Sequence, residues 1–154
     1  MQIKIMNIKI RKANESDLAA ILSLFAQPEM DNGSILSLDK AKALFKKIQS
    51  YPCYTIFVAT IDEKIIGTFA LLIMDNLAHM GTPSGIVEDI VVDPAYQGKG
   101  IGKLIMNYAI DQCKEAGCYK LALSSNLRRV QAHKFYKSLR FKQHGINFVI
   151  DIPK

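Results

Sequence analysis

Apolar and polar positions trade places along the chain in two rhythms, and the change between them marks out the elements. Ile3, Ile5, Ile8 and Ile10 predict a first strand that runs to about Lys12. Asn14 or Ser16 can then cap a helix, with Asp17 favourable at its positive end. Leu18, Ile21, Leu22 and Phe25 follow at helical spacing. Pro28 and Gly33 bound a polar break. A second amphipathic helix is expected from about Leu38 to Ile48. Its apolar positions are Leu38, Ala41, Leu44, Phe45 and Ile48, and its outer face carries Lys40, Lys42, Lys46 and Lys47.

The rhythm then turns to that of strands. Tyr54 to Ile61 is rich in β-branched and aromatic residues, Asp62-Glu63-Lys64 is a short turn, and Ile65 to Met74 is an antiparallel return strand. Gly67 inside it marks a bulge or a close backbone approach. A loop from Asp75 to Pro83 leads to a strand from Gly85 to Val92, which Asp93-Pro94 ends. From Gly100 to Ala116 the helical rhythm returns, with Ile101, Leu104, Ile105, Tyr108, Ala109 and Gln112 on one stripe and Gly117 as a left-handed stop. A short strand from Lys120 to Ser124 and a helix from about Arg129 to Leu139 follow, and Phe141 to Lys142 and Asn147 to Ile152 are expected to complete the sheet. The order β-α-α-β-β-β-α-β-α-β-β implies an α+β fold, a mixed and mostly antiparallel sheet flanked by helices with one β-α-β crossover.

Composition narrows the class. With 154 residues, 49% of them hydrophobic and 22% charged, the chain fits one soluble globular domain spanning residues 1–154. No apolar run approaches the roughly 20 residues that span a bilayer, and the start lacks a signal-peptide pattern, so no membrane partner and a cytoplasmic location are expected. The net charge of +6 suits an anionic ligand. Nucleic acid is not the expected partner, because Trp is absent and the basic residues are not interleaved with aromatics in a stripe. Cys53, Cys113 and Cys118 have no metal-ligand spacing and read as reduced, partly buried thiols. His79, His133 and His144 form no metal pattern with the nearby acids, so no metal is expected.

One segment carries specific chemistry. Gln97-Gly98-Lys99-Gly100-Ile101-Gly102 lies between a strand and the longest helix. The first amides of a helix have no intrahelical partner and carry the positive end of its dipole, so an anion is stabilised there. Glycines at 98, 100 and 102 let a bulky diphosphate approach the backbone, and Lys99 and Lys103 add charge. The dinucleotide fingerprint does not fit, because the loop follows a late strand and no acidic residue stands at the required spacing. A Gly-Lys-Ser/Thr phosphate loop is absent.

The stretch from Ile86 to Phe141 resembles the cofactor half of the GNAT superfamily of N-acetyltransferases. The matching residues are Glu88-Asp89-Ile90-Val91-Val92-Asp93-Pro94, then Tyr96 to Gly102, then Asn126, then Ala132-His133-Lys134-Phe135-Tyr136. The resemblance implies acetyl-CoA as donor and a sheet splayed open to receive it. It implies that Val91 and Val92 offer backbone groups to the pantetheine arm and thioester carbonyl. Gln97, Gly98, Lys99, Gly100, Gly102 and Lys103 would surround the pyrophosphate. Asn126 would contact the cofactor, Phe135 would pack near the pantetheine, and Tyr136 would protonate the departing thiolate. Family members often dimerise, so a homodimer is a possible assembly.

The chemistry of acyl transfer asks for an acid and a base. A thiolate with a pKa near about 8.5 can take a proton from a tyrosine near about 10, and Tyr136 stands three residues after His133 on one helical face. Glu88 is the candidate general base, acting through water. Adjacent strand residues point to opposite faces, so Glu88 and Asp89 are not expected to form a simple dyad, and Asp89 is assigned to the acceptor. His79 is a second acceptor-side candidate, and Arg128 or Arg129 could bind an anionic group on the acceptor. The pattern from Asn126 to Tyr136 is similar to small-molecule N-acetyltransferases, including those acting on aminoalkylphosphonates, and Ile86 to Val92 with Gly117 to Lys120 is similar to glucosamine-phosphate N-acetyltransferases. Both imply a small primary amine, which could itself be anionic. The acceptor would be lined by segments around residues 30–34, 76–80 and 143–145. The alternatives are acetylation of a protein or peptide, a non-catalytic CoA-binding sensor, and acetylation of aminoacyl-tRNA, which the positive charge would permit. Leu139-Arg140-Phe141 departs from the family's usual Leu-Gly-Phe, since arginine tolerates a left-handed cap less well than glycine.

Overall fold

In the computed structural model, which describes residues 7–154, five strands stand side by side in chain order. β1 (Ile8–Lys12), β2 (Tyr54–Ile61), β3 (Lys64–Met74) and β4 (Ser84–Val92) are mutually antiparallel, and β5 (Leu121–Ala122) runs parallel to β4. The expected residues Ile3 and Ile5 lie outside the described range. The helices are α1 (Leu18–Phe25), α2 (Leu38–Gln49), α3 (Ile101–Glu115) and α4 (Val130–Ser138). α3 makes the crossover from β4 to β5. The described residues up to Ala122 form one compact unit and Leu123–Lys154 a second.

Strand alternation sorts the core into two layers. Phe57 pairs with Phe69 across β2 and β3, and both meet Tyr108 of α3 edge-on, at centroid distances of 5.3 and 6.3 Å. The neighbouring Ile56 packs on the other side, with Leu18, Ala41 and Phe45 of α1 and α2. α3 therefore covers one face and the α1–α2 pair the other. Ile101, Ile105, Met106, Ala109 and Cys113 are the buried positions of α3. Leu104, expected inside, is exposed, and the buried stripe instead takes in Met106 and Cys113.

Local chemistry sets the turns. Asp62 and Glu63 both have positive φ, 46° and 67°, the geometry of a two-residue hairpin whose twist matches its strands. Asp17 opens α1. Its carboxylate accepts the Asn14 backbone N–H at 2.8 Å and a two-pronged bond from Arg11 at 2.6 and 2.9 Å. Arg11 thereby holds the Asp17 carboxyl below its ordinary range. Gly67 is both bulge and close approach. The β2–β3 register shifts beside it, and a Cβ there would stand 3.2 Å from the Val91 carbonyl oxygen and from Ile105.

The two C-terminal strands expected at 141–142 and 147–152 are not formed. Alternation alone cannot make a strand, because a ladder needs a partner with free backbone groups. Within the second unit, Asn147 donates instead to the Ser124 hydroxyl at 2.6 Å.

Candidate active site

β5 is two residues long and pairs only with Gly85 and Ile86. From Val87 to Val92, β4 therefore has no β5 partner on that edge, and the sheet is splayed where donor binding was expected. On its other edge β4 is held, Val91 opposite Thr68 and Val92 opposite Gly67. The Val92 carbonyl accepts two side-chain amides, from Gln97 at 3.0 Å and from Gln27 at 3.1 Å. Gln97 thus ties the glycine loop back to the end of the strand. Gln27 was not anticipated from the sequence, where only the break bounded by Pro28 and Gly33 drew notice.

The loop itself has the geometry a bulky anion needs. Gly98 and Gly100 have φ of 72° and 84°, left-handed values that side-chain-bearing residues rarely adopt, and a Cβ at either would point into open space. Gly100 is the N-cap of α3 and has no side chain to satisfy the first amides, and the first helical bond runs from Leu104 to Gly100. The N–H groups of Ile101, Gly102 and Lys103 thus face outward at the positive helix end. Gly102 sits in that first turn, and Lys103 is exposed beside it. Lys99 brings its charge to the loop in a fixed position. Its ammonium bonds the Ala95 carbonyl at 2.9 Å and lies 5.2 Å from the Tyr96 ring centre. These features fit a diphosphate.

The strand breaks its alternation at the carboxylates. Thr68 pairs with Val91 and Ala70 with Glu88, so one residue of β3 faces two of β4. Asp89 carries the bulge with φ of 52°. The expectation that Glu88 and Asp89 point to opposite faces assumed a regular strand, and the bulge removes that premise. Glu88 and Asp89 are both exposed at residue level. Partial burial and the Asp89 charge raise the Glu88 pKa, and partial burial with the Asp31 charge raises that of Asp89. Tyr54 is raised as well, first by burial and then by these two carboxylates. Asp31 and Tyr54 therefore join the site. Asp31 belongs to the expected 30–34 segment, a tight turn in which its N–H bonds the Phe25 carbonyl at 2.9 Å. His79, also left-handed at φ 54°, stacks on Tyr119 at 4.4 Å.

The remaining candidates lie in the second unit. Asn126 organises the start of α4: its carbonyl meets the His133 ring nitrogen at 2.9 Å and the Arg129 N–H at 3.0 Å, and its side chain accepts the Arg128 N–H at 2.9 Å. The neighbouring Ser125 hydroxyl is buried with no hydrogen-bond partner among the described residues, an opening for a ligand group next to a residue expected to touch the donor. Tyr136 packs between Phe135, at 5.3 Å, and Phe141, at 6.1 Å. Burial lifts its phenol above the ordinary tyrosine range, against a smaller opposing effect of Arg129. Arg140 takes the left-handed position, φ 70°, where the family usually has glycine.

Among known proteins, the model of the acetyltransferase (GNAT) family matches residues 18–141. The chain is 30% identical over 142 residues to a glucosamine 6-phosphate N-acetyltransferase of Arabidopsis thaliana, covering 90% of this chain and 92% of that one. It is 32% identical over 138 residues to an aminoglycoside N(6')-acetyltransferase type 1 of Stenotrophomonas maltophilia, covering 87% and 86%. A putative acetyltransferase from Agrobacterium tumefaciens superposes with a TM-score of 0.88 at 32% identity, over 94% of this chain and 99% of that one. The splayed sheet, the glycine loop at a helix start and these matches agree. The chain belongs to the acetyltransferase (GNAT) family, and its enzyme class is that of an acyl-CoA-dependent N-acetyltransferase.

Proposed function

We propose that the protein transfers the acetyl group of acetyl-CoA to the primary amine of a small molecule by direct attack. The reading rests chiefly on one observation: two left-handed glycines and an uncapped α3 start, directly after a β4 edge that β5 leaves open. Gln97, Gly98, Lys99, Gly100, Gly102 and Lys103 are the proposed diphosphate cradle, with Val91, Val92, Asn126 and Phe135 along the pantetheine arm. The amine nitrogen attacks the thioester carbonyl, the C–N bond forms as charge gathers on oxygen, and the C–S bond of the tetrahedral intermediate then breaks. A backbone N–H aimed at that oxygen lowers the barrier. Glu88, its pKa raised toward the working range, takes the amine proton through water. Tyr136, kept protonated by burial, returns a proton to the thiolate. Residues 18–141 of the family match support reading the chain as one acetyltransferase domain.

The acceptor has two readings. The glucosamine 6-phosphate relative and Arg128 and Arg129 support an amine that carries phosphate or phosphonate. The carboxylates of Asp31, Glu88 and Asp89 support a cationic amine of the kind the aminoglycoside relative modifies. An amine panel with acetyl-CoA, read by thiol release, tests both: glucosamine 6-phosphate, 2-aminoethylphosphonate, an aminoglycoside and a lysine peptide. Turnover of a small amine is expected. Tight CoA binding without turnover of any amine overturns the enzyme reading in favour of a sensor.

A further inference from the structure

The C-terminal cap of α3 brings two cysteines together. Ala116 is the C-cap and Gly117 takes the left-handed φ of 74°, so Cys118 stands at the position that folds back over the last turn. The Cys118 N–H bonds the Cys113 carbonyl at 2.9 Å, the six-to-one bond of a Schellman motif. This motif places the side chains of its first and last residues in contact, and here both are thiols. Burial first, and then the neighbouring Cys118, raise the Cys113 thiol. Standard bond lengths on either side of the 2.9 Å N···O contact hold the two Cα atoms within about 6.8 Å. A disulfide spans about 4.4–6.8 Å between Cα atoms. Cys113 is buried and Cys118 partly exposed, so one sulfur can meet a solvent oxidant and the other waits beneath it.

The site is also well placed in the fold. A Cβ on Gly85 would lie 2.4 Å from the Cys113 sulfur, so that sulfur rests on the β4 backbone itself. Gly85 is the residue that pairs with Leu121, where β5 begins, one pair before the splay opens.

We propose that Cys113 and Cys118 form a reversible intramolecular disulfide, a redox modification site that locks the end of α3 at the root of the β4–β5 gap. With a peroxide as oxidant, the Cys118 thiolate attacks the O–O bond, becoming a sulfenic acid as hydroxide leaves. The Cys113 sulfur then attacks that sulfur. The S–S bond forms, and the sulfenic oxygen leaves as water with the Cys113 proton. Two thiols are oxidised and one peroxide is reduced to two waters. A low-molecular-weight thiol reverses the bond by exchange. Burial, with Cys118 beside it, pushes the Cys113 thiol up to about 12, so the more exposed Cys118 is the sulfur that meets the oxidant first.

The test is to treat native protein with hydrogen peroxide, alkylate remaining thiols and digest with trypsin, which cuts between the two cysteines. Peptides 104–114 and 115–120 are expected to appear joined, two hydrogens lighter than their sum, and to separate after dithiothreitol. Cys53→Ser should close as the parent does, and Cys118→Ser should not close. The proposal is overturned if both cysteines remain alkylatable after oxidation, if Cys53 is the partner found, or if closure occurs only in urea. Should Cys118→Ser fail to fold, the peptide map of Cys53→Ser decides alone. The mass readout is independent of acetyl transfer.

Discussion

Burial raises the pKa of Tyr136, Glu88 and Asp89, and each shift has a consequence that kinetics or stability can read. Tyr136 is raised by burial, so it remains a proton donor throughout the range in which an amine becomes neutral. Tyr136→Phe removes one proton transfer, and kcat should fall about 100-fold or more with little change in donor KM. Unchanged turnover at every pH would remove Tyr136 as the acid. Glu88→Gln should erase the acidic limb of the kcat/KM–pH profile, which in the parent lies above the ordinary carboxylate range because burial and Asp89 raise Glu88. An intact profile would rule Glu88 out as base. Asp89 also bears on stability. Its folded pKa is raised, so the folded protein holds that proton more tightly than the unfolded chain, and stability is lost as pH rises through the folded value. Asp89→Asn keeps a residue that tolerates left-handed φ. It should raise Tm at neutral pH, with the gain vanishing as pH falls into the carboxylate range. A flat Tm difference across pH would refute this.

Turns and strand ends decide how the elements serve the site. At Gly100 a methyl group would meet nothing within 4 Å, yet φ is 84°, so alanine there is opposed by conformation and not by collision. Gly100→Ala should cost about 1 kcal/mol in the loop's bound geometry and raise the acetyl-CoA KM several-fold, which steady-state kinetics can check. Arg140 presents the reverse case. It holds a left-handed φ without a glycine's freedom, so Arg140→Gly should raise stability by about 1 kcal/mol, measured by urea denaturation, with kcat unchanged. Much of this scale was legible in the sequence. The Asp62-Glu63 turn, the role of Gly67 and the stop at Gly117 were read from residue type, because the turn and the stop demand a left-handed backbone and Gly67 a close approach that leaves no room for a side chain. The bulge in β4 was not legible, since Glu88-Asp89-Ile90 contains no glycine or proline to announce it. The stripe of α3 was read through Leu104 and Gln112, but helical spacing fixes a face only to within one neighbouring row. Ile105 packs over Gly67 and Cys113 over Gly85, and that seating turned the stripe toward Met106 and Cys113.

At the scale of the molecule, charge and topology act together. Lys and Arg number 20 against 14 Asp and Glu, so an anionic donor approaches a positive protein. Acetyl-CoA KM should therefore rise with salt as screening shortens to about 8 Å near physiological ionic strength. Acid should unfold the chain in part through Asp17, whose folded pKa is lowered. Its contribution is present above the unfolded value and disappears as pH falls through the folded one. The fold order was predictable up to β5 because each strand follows its neighbour, while the C-terminal strands failed because alternation carries no information about a partner. Asn126 and Tyr136 are proposed through a family pattern, the segment of Asp31 was expected at the acceptor, and Tyr54 and Gln27 came only through three dimensions. The β4 bulge has one more consequence. Between Thr68 and Ala70 lies one residue, and between Glu88 and Val91 lie two. Removing a single codon, that of Asp89, would leave the two strands equal in length and their remaining pairs in step. Such a shortened chain is expected to fold yet transfer no acetyl group, which separates the part of β4 that builds the sheet from the part that serves the reaction.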